Sequence, residues 1–308
     1  MDVVFTATAT TATGGITGAT GASVALSGTA TATVTQDASG NYTFTTPADG
    51  PYTVTPSKAG FTFSPASQNA TVSGGGTVTL PSFTATATAT TATGLAIDAK
   101  VSVDQGTAST TVTTGAFSTK SGNELLLAFI ESDSSSAANT VSGVSGAGLT
   151  WVLVKRTNTQ KGTAEIWRTF ASSALTNVTV TATLAQKVVS SMTVMSFSGV
   201  DTSGTSGSGA IGSTASGSAS SGAPTASLVT TRNSSWVFGV GNDYDNAIAR
   251  TPSTGQTLVH QYLTPTGDTY WVQMQNSPTP TSGTTVTIND TAPTTDRYNL
   301  TICEILPA

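Results

Sequence analysis

Cysteine occurs once in this sequence, at Cys303, and glutamate only four times. A lone thiol excludes a disulfide framework and any paired-cysteine metal site. Charge is scarce as well: 9% of the 308 residues are Asp, Glu, Lys or Arg, where about 25% is usual. The 11 basic residues are scattered and the net charge is −5. The clustered cations that a phosphate backbone requires are therefore missing, and nucleic acid is excluded as a partner. No run of 18 apolar residues exists, so no membrane-spanning helix is expected. Strong helix formers are few, and helical periodicity never persists beyond two turns.

What is abundant is threonine, 64 of the 308 residues. Thr and Val suit pleated, half-buried strands, and hydroxyls must take over the solvation that charges usually provide. An all-β chain follows, long enough for two domains. It opens Met1-Asp2-Val3-Val4-Phe5, without the basic and apolar regions of a signal peptide. The opening reads as mid-strand, so an export signal is expected upstream and Met1 is expected not to be native.

Two Thr-Ala runs resemble each other, Phe5 to Gly14 and Phe83 to Gly94. Recurrence at such a period is the mark of a domain array. Residues 1–13 are therefore expected to be a strand of a preceding repeat or a linker, and 85–98 a linker strand. Between them lie short alternating strands at Ala22–Leu26, Tyr42–Phe44, Tyr52–Val54, Phe61–Phe63 and Thr77–Leu80, separated by Gly- and Pro-rich turns. The order Ile16 to Gly28, Asp37-Ala38-Ser39-Gly40-Asn41-Tyr42-Thr43-Phe44, Gly50-Pro51-Tyr52-Thr53-Val54 and Lys58-Ala59-Gly60-Phe61 resembles the carboxypeptidase-regulatory-like or collagen-adhesin B-type repeat. That resemblance implies a prealbumin-like sandwich over 14–84, serving as a spacer in a surface protein. Many such repeats carry a Lys–Asn or Lys–Asp isopeptide bond assisted by an acid. Here Lys58 is the only lysine before Lys100, and no Glu precedes Glu124, so no such bond is expected.

From 99 to 308 the strands lengthen and Trp151, Trp167, Trp236 and Trp271 appear. Ten segments read as strands: 124–130, 150–156, 165–170, 178–184, 188–197, 235–240, 257–262, 269–275, 284–288 and 298–305. They predict one large jelly-roll-like double sheet. The expected fold is thus all-β, a small prealbumin/Ig-like sandwich followed by a larger jelly-roll-like β-sandwich. Leu149 to Val154, Ala164-Glu165-Ile166-Trp167 and Phe197 to Asp201 resemble uncharacterised sandwich domains in extracellular proteins of soil bacteria. Residues 201–224, rich in Ser and Gly, read as a long exposed loop.

Chemistry-bearing groups are sparse. The one histidine, His260, reads as a strand residue rather than the base of a nucleophilic serine, and no G-x-S-x-G elbow is present. Glu131-Ser132-Asp133 begins the E-x-D-x-x-E pattern of sandwich glucanases, but Ser136 stands where the second acid belongs. Glu165 and Glu304 are the remaining acids able to make a glycosidase pair with Glu131. Asn242, Asp243 and Asp245 are the densest oxygen donors and the candidate calcium ligands; the other reading is an Asx turn. Tyr244, Tyr262, Tyr270, Trp271 and His260 are the candidate ligand-binding set, because aromatics facing outward from a sandwich stack on sugar rings. Tyr270 and Trp271 are consecutive, so one of them is exposed unless both faces of their sheet are covered. Cys303 lies in an apolar alternation and reads as a small core residue.

These readings lead to a non-catalytic structural or adhesive segment of a secreted bacterial surface protein. Its expected partners are neighbouring domains of the same protein, and beyond them either a glycan or a second copy bound through the N-terminal strand; the other reading of that strand is simple extension along its own module's edge. The alternative is a carbohydrate-binding module of an extracellular polysaccharide-processing protein. No cofactor other than calcium is expected.

Overall fold

The computed structural model describes residues 10–46, 49–58, 61–73, 77–80, 82–87, 94–134 and 139–308. The chain divides into two compact units, Met1–Thr91 and Ala92–Ala308. Both are all-β, with no α-helix among the described residues.

The first unit contains β1 (Thr10–Thr17), β2 (Ser23–Gly28), β3 (Ala32–Thr35), β4 (Asn41–Thr46), β5 (Gly50–Ser57), β6 (Phe61–Ser64), β7 (Gln68–Val72), β8 (Thr77–Thr79) and β9 (Phe83–Ala87). One sheet has the order β4-β1-β9-β6, with β8 also on β1; the other has the order β3-β2-β5-β7. Alternation along the strands turns Val24, Leu26, Tyr42, Phe44, Tyr52, Val54 and Phe83 into one core, as a period of two requires. Gln36, though polar, is buried. Its amide donates to the Ile16 carbonyl at 3.1 Å and accepts from the Ala22 amide at 3.2 Å, which ties β1 to the entry of β2. Lys58 donates its ammonium to the Thr20 carbonyl and lies over the Phe61 ring.

Two expected boundaries differ from this structure. Thr10 to Thr13 do not belong to a neighbouring repeat: β1 is paired on one side with β4 and on the other with β8 and β9. Residues 1–9 lie outside the described residues. Likewise Ala85 to Ala87 are not linker but the end of β9, which pairs with β6; residues 88–93 again lie outside.

The second unit is two equivalent halves whose five-stranded sheets face each other as a double sheet. The first half holds β10 (Ala96–Thr113), β11 (Glu124–Ser132), β12 (Val141–Gly146), β13 (Val152–Thr157), β14 (Thr163–Ala171) and β15 (Val180–Ser198). The second holds β16 (Ile211–Ala219), β17 (Thr225–Val229), β18 (Trp236–Asp243), β19 (Thr251–Pro252), β20 (Gln256–Leu263), β21 (Thr269–Gln275), β22 (Thr285–Ala292) and β23 (Tyr298–Ile305). The five-strand orders β10-β15-β11-β14-β13 and β16-β23-β18-β21-β20 are the same path. In the first half β10 and β15 continue past a break in register near Ser109 and pair again, with β12 beside β15. In the second half those continuations are separate strands, in the order β17-β22-β19.

The equivalence reaches single residues. Each edge pair carries one irregularity, between Leu153 and Lys155 in β13 and between Leu258 and His260 in β20. Thr114 accepts the Val180 amide on its hydroxyl and donates its own amide to the Val180 carbonyl. Thr230 does the same with Thr284.

Each half buries its own core between its long sheet and its short one. In the first, Leu126, Ala128 and Ile130 meet Val112, Ala182 and Leu184; in the second, Trp271, Leu300 and Ile302 meet Leu228, Val286 and Ile288. A third core lies where the two five-stranded sheets face each other: Leu125, Leu127, Phe129, Ile166, Met195 and Phe197 against Trp236, Phe238, Val240, Val272, Cys303 and Ile305. We call this the seam.

The low-complexity stretch 201–224 is not one exposed loop. Residues Ile211–Ala219 form β16 and pair with β23. The Ser/Gly/Ala composition that reads as linker is what lets this strand lie close to its neighbours. A Cβ at Gly217 would overlap the Thr225 carbonyl, and one at Gly212 would overlap the Glu304 carboxylate.

Candidate functional site

Residues paired across a β-ladder share a face of the sheet, and this places every acid of interest. Glu131 is paired with Ala164 and Ser191, so it points into the seam with Phe129. Glu165 is paired with Ile130 and points to the opposite face, into the first half's own core. Glu304 is paired with Val237 and points into the second half. The three glutamates therefore stand in three compartments and make no glycosidase pair.

Each is held differently. Glu165 takes the Arg156 guanidinium at 2.6 Å, the Trp167 indole at 2.9 Å and the Val141 amide at 2.7 Å. Glu304 accepts the amides of Ser213, Thr231 and Arg232. Glu131 is buried with neither carboxyl oxygen hydrogen-bonded. Burial, followed by the charge of Asp104, pushes its pKa well above the ordinary carboxyl range.

Around the Glu131 end of the seam the structure gathers several titratable groups. His260 Nε2 lies 2.8 Å from Asp104 Oδ1, and Ser191 Oγ donates to the same oxygen at 3.0 Å. The aspartate is thus central, and the imidazole does not touch the serine. A nucleophilic relay needs the imidazole in the middle, so this is no serine triad. Tyr270 donates to the Val189 carbonyl at 3.3 Å and to Asp268 at 3.1 Å. Burial and the charge of Asp133 push Asp268 up to about 6, and burial with the charge of Asp268 raises the Tyr270 phenol further. Tyr262 packs on Tyr270 with ring centroids 6.3 Å apart.

Three residues from the candidate ligand set, His260, Tyr262 and Tyr270, therefore meet here. Composition alone did not connect them to Asp104, Ser191 or Glu131, which come from strands more than 60 residues away in sequence; only the back-to-back packing of the halves brings these groups together.

The other two candidates, Trp271 and Tyr244, are elsewhere. Tyr270 and Trp271 are both 0% exposed, because the β21 sheet is covered by the seam on one face and by β17 and β22 on the other. Trp271 carries the Arg250 guanidinium over its ring at 4.6 Å. Tyr244, half-buried, lies between Lys161 at 4.4 Å and Arg297 at 5.8 Å.

Nor do the calcium candidates converge. Asn242 is bonded to Asn299 at 2.9 Å and to the Lys161 carbonyl at 3.2 Å. Asp243 is ion-paired with buried Arg250 and accepts the Asp245 amide at 2.7 Å, the Asx turn that was the other reading. Asp245 faces Arg297 at 2.9 Å. Guanidinium groups thus occupy the carboxylates that were to hold a cation. Among the described residues no three His, Cys, Asp or Glu side chains are grouped as a metal would need.

The fold and site define an all-β protein of two sandwich units, the second internally duplicated. No protein-family model matches the chain, and no curated protein matches it. Among solved structures it is similar to the full-length major pilin SpaD from Corynebacterium diphtheriae, at 9% identity over 96% of this chain and 83% of that one, with a TM-score of 0.23. It is also similar to the T6 backbone pilin of serotype M6 Streptococcus pyogenes, at 10% identity over 91% and 80%, with a TM-score of 0.21. Scores this low describe no shared whole-chain fold.

Proposed function

We propose that this chain is a non-catalytic structural segment of a secreted surface protein, acting outside the cell beside further domains of the same protein. The observation that carries the reading is the separation of the reactive groups. Glu131, Glu165 and Glu304 face three compartments, and Asp104 rather than His260 stands between the hydroxyl and the imidazole. The chain invests instead in two consecutive sandwich units with hydroxyl-covered strands. No helix among the described residues is long and apolar enough to cross a membrane. A glycan-binding reading would have to rest on the half-buried Tyr244 and Tyr262, since Tyr270 and Trp271 are buried. The test is an assay of hydrolytic turnover across glycan, ester and peptide substrates, alongside a glycan array with calcium present. No turnover and no binding are expected. Turnover that Glu131→Gln abolishes, or glycan binding that Tyr262→Ala abolishes, overturns the proposal.

A further inference from the structure

The two halves of the second unit differ at one strand position. In the first half the stretch Val180 to Leu184 is paired on both sides, with β10 and with β12; Thr181 stands opposite Ser145 and Thr183 opposite Gly143. The matching anchors Thr114–Val180 and Thr230–Thr284 set Thr285 and Thr287 of β22 as the equivalents of Thr181 and Thr183. There β22 pairs with β17 on one side only. On the other side β19, two residues long where β12 has six, reaches Asp290 and Ala292, and the Ser253 amide after it donates to the Asn289 carbonyl before the pairing stops.

The direction of the unused groups follows from the ladder. The Thr284 carbonyl accepts from Thr230 and the Asp290 amide donates to Pro224, so even-numbered residues of β22 bond to β17 and odd-numbered ones point away. Of the latter, the Asn289 amide and the Thr287 carbonyl are taken by the Gln256 side chain, at 3.1 and 3.2 Å. That leaves the N–H and C=O of Thr285 and the N–H of Thr287. They border a groove of about 350 Å³ whose other walls include Thr254, Gly255, Ser277 and Pro278.

We propose that this groove is an acceptor for one added β-strand, and that the strand is the Thr6-Ala7-Thr8-Ala9 run of a second copy of this chain. The inference rests on the structural reading above and extends it to assembly. An open strand edge beside a groove recruits an extended segment through main-chain hydrogen bonds. What the position accepts is shown by its occupied twin: β12 there reads Val-Ser-Gly-Val-Ser-Gly, small and uncharged. The groove itself is lined without a charged side chain, so a charged peptide would lose solvation with no partner. The Thr6 to Ala9 run has the same character, and four residues at about 3.3 Å each span the open edge.

The test is the mass of the full chain in solution against concentration, for the unaltered protein and three variants: deletion of residues 2–9, Thr287→Pro and Ser277→Trp. Thr287→Pro removes the amide that faces the groove and keeps the main-chain bonds to β17, losing the Thr287–Ser227 hydroxyl contact, and Ser277→Trp, at an exposed position, fills the groove. The expected result is reversible association of the unaltered chain. Each variant lowers the association constant at least about tenfold, with the melting temperature unchanged for the deletion and for Ser277→Trp, and a synthetic peptide of residues 3–9 binds the deletion variant. A monomer at every concentration up to the solubility limit, or association that survives Ser277→Trp, overturns the proposal. Neither result touches the structural reading, which falls only on turnover or ligand binding.

Discussion

Glu131 occupies the position that Asn242 fills in the other half. Both follow three alternate seam residues, Leu125, Leu127, Phe129 and Trp236, Phe238, Val240. Asn242 has its amide fully engaged, whereas the Glu131 carboxyl has no hydrogen-bond partner. A buried carboxyl of this kind holds its proton when folded and loses it when unfolded. Glu124 and Asp290, each pushed up to about 7, chiefly by burial, and Asp268, at about 6, behave alike. A raised carboxyl pKa contributes stability that is complete below the ordinary values of 3.8 to 4.5 and lost as pH rises through the folded ones. The protein is therefore expected to melt higher at pH 5 than at pH 8. Glu131→Gln should raise stability at pH 8 by about 1–3 kcal/mol and change little at pH 5; thermal melts at both values check this, and an equal shift at both would count against it. Glu131 was visible in the sequence as an acid, but its isolation was not. Strand alternation gives the face of a residue, not what the opposite sheet places against it.

The strands recovered best from the sequence are those with strong alternation or apolar runs. The spans 269–275 and 298–305 match β21 and β23 to the residue, and 124–130 lies within β11. Of those missed, β10, β12, β16 and β17 in the second unit are built largely of Thr, Ser, Gly and Ala, whose side chains give the period of two little amplitude. In β16 the small residues are a packing requirement. Gly217→Ala should cost about 1–3 kcal/mol, since the Thr225 backbone cannot retreat. Gly143→Ala, with open space around it and no positive φ, should be neutral or gain up to about 1 kcal/mol; denaturant midpoints of the two variants distinguish them. The duplicated threonine anchors offer a second check. Thr114→Val and Thr230→Val each strip the acceptor from one strand-entry amide, and each should lose about 1 kcal/mol in urea titrations. A loss confined to one half would show that the halves no longer share that device.

At the scale of the molecule, the seam makes the two halves of the second unit one cooperative body, because each lends its five-stranded sheet to a common core. Cys303 sits in that core, fully buried, its thiol pushed up to about 12 by burial and the neighbouring Glu304. Native protein should resist thiol reagents, and labelling should track one unfolding transition of residues 92–308 in denaturant. Labelling well before that transition would mean that the seam parts while the halves stay folded. The all-β plan was legible from composition; the duplication was not, since equivalent strands share pairing and irregularities rather than residue identity. That same duplication sets an order of events during synthesis. The first half can close its own ladder once Ser198 has emerged, but Leu125, Leu127, Phe129 and Phe197 then present a bare apolar wall until β18 arrives some forty residues later and β23 about a hundred residues later. At about 5–20 residues per second that interval lasts seconds, long compared with the collapse of a chain this size. The nascent first half is thus its own aggregation hazard, and the rate at which the second half follows decides whether two halves of one chain meet or two chains do.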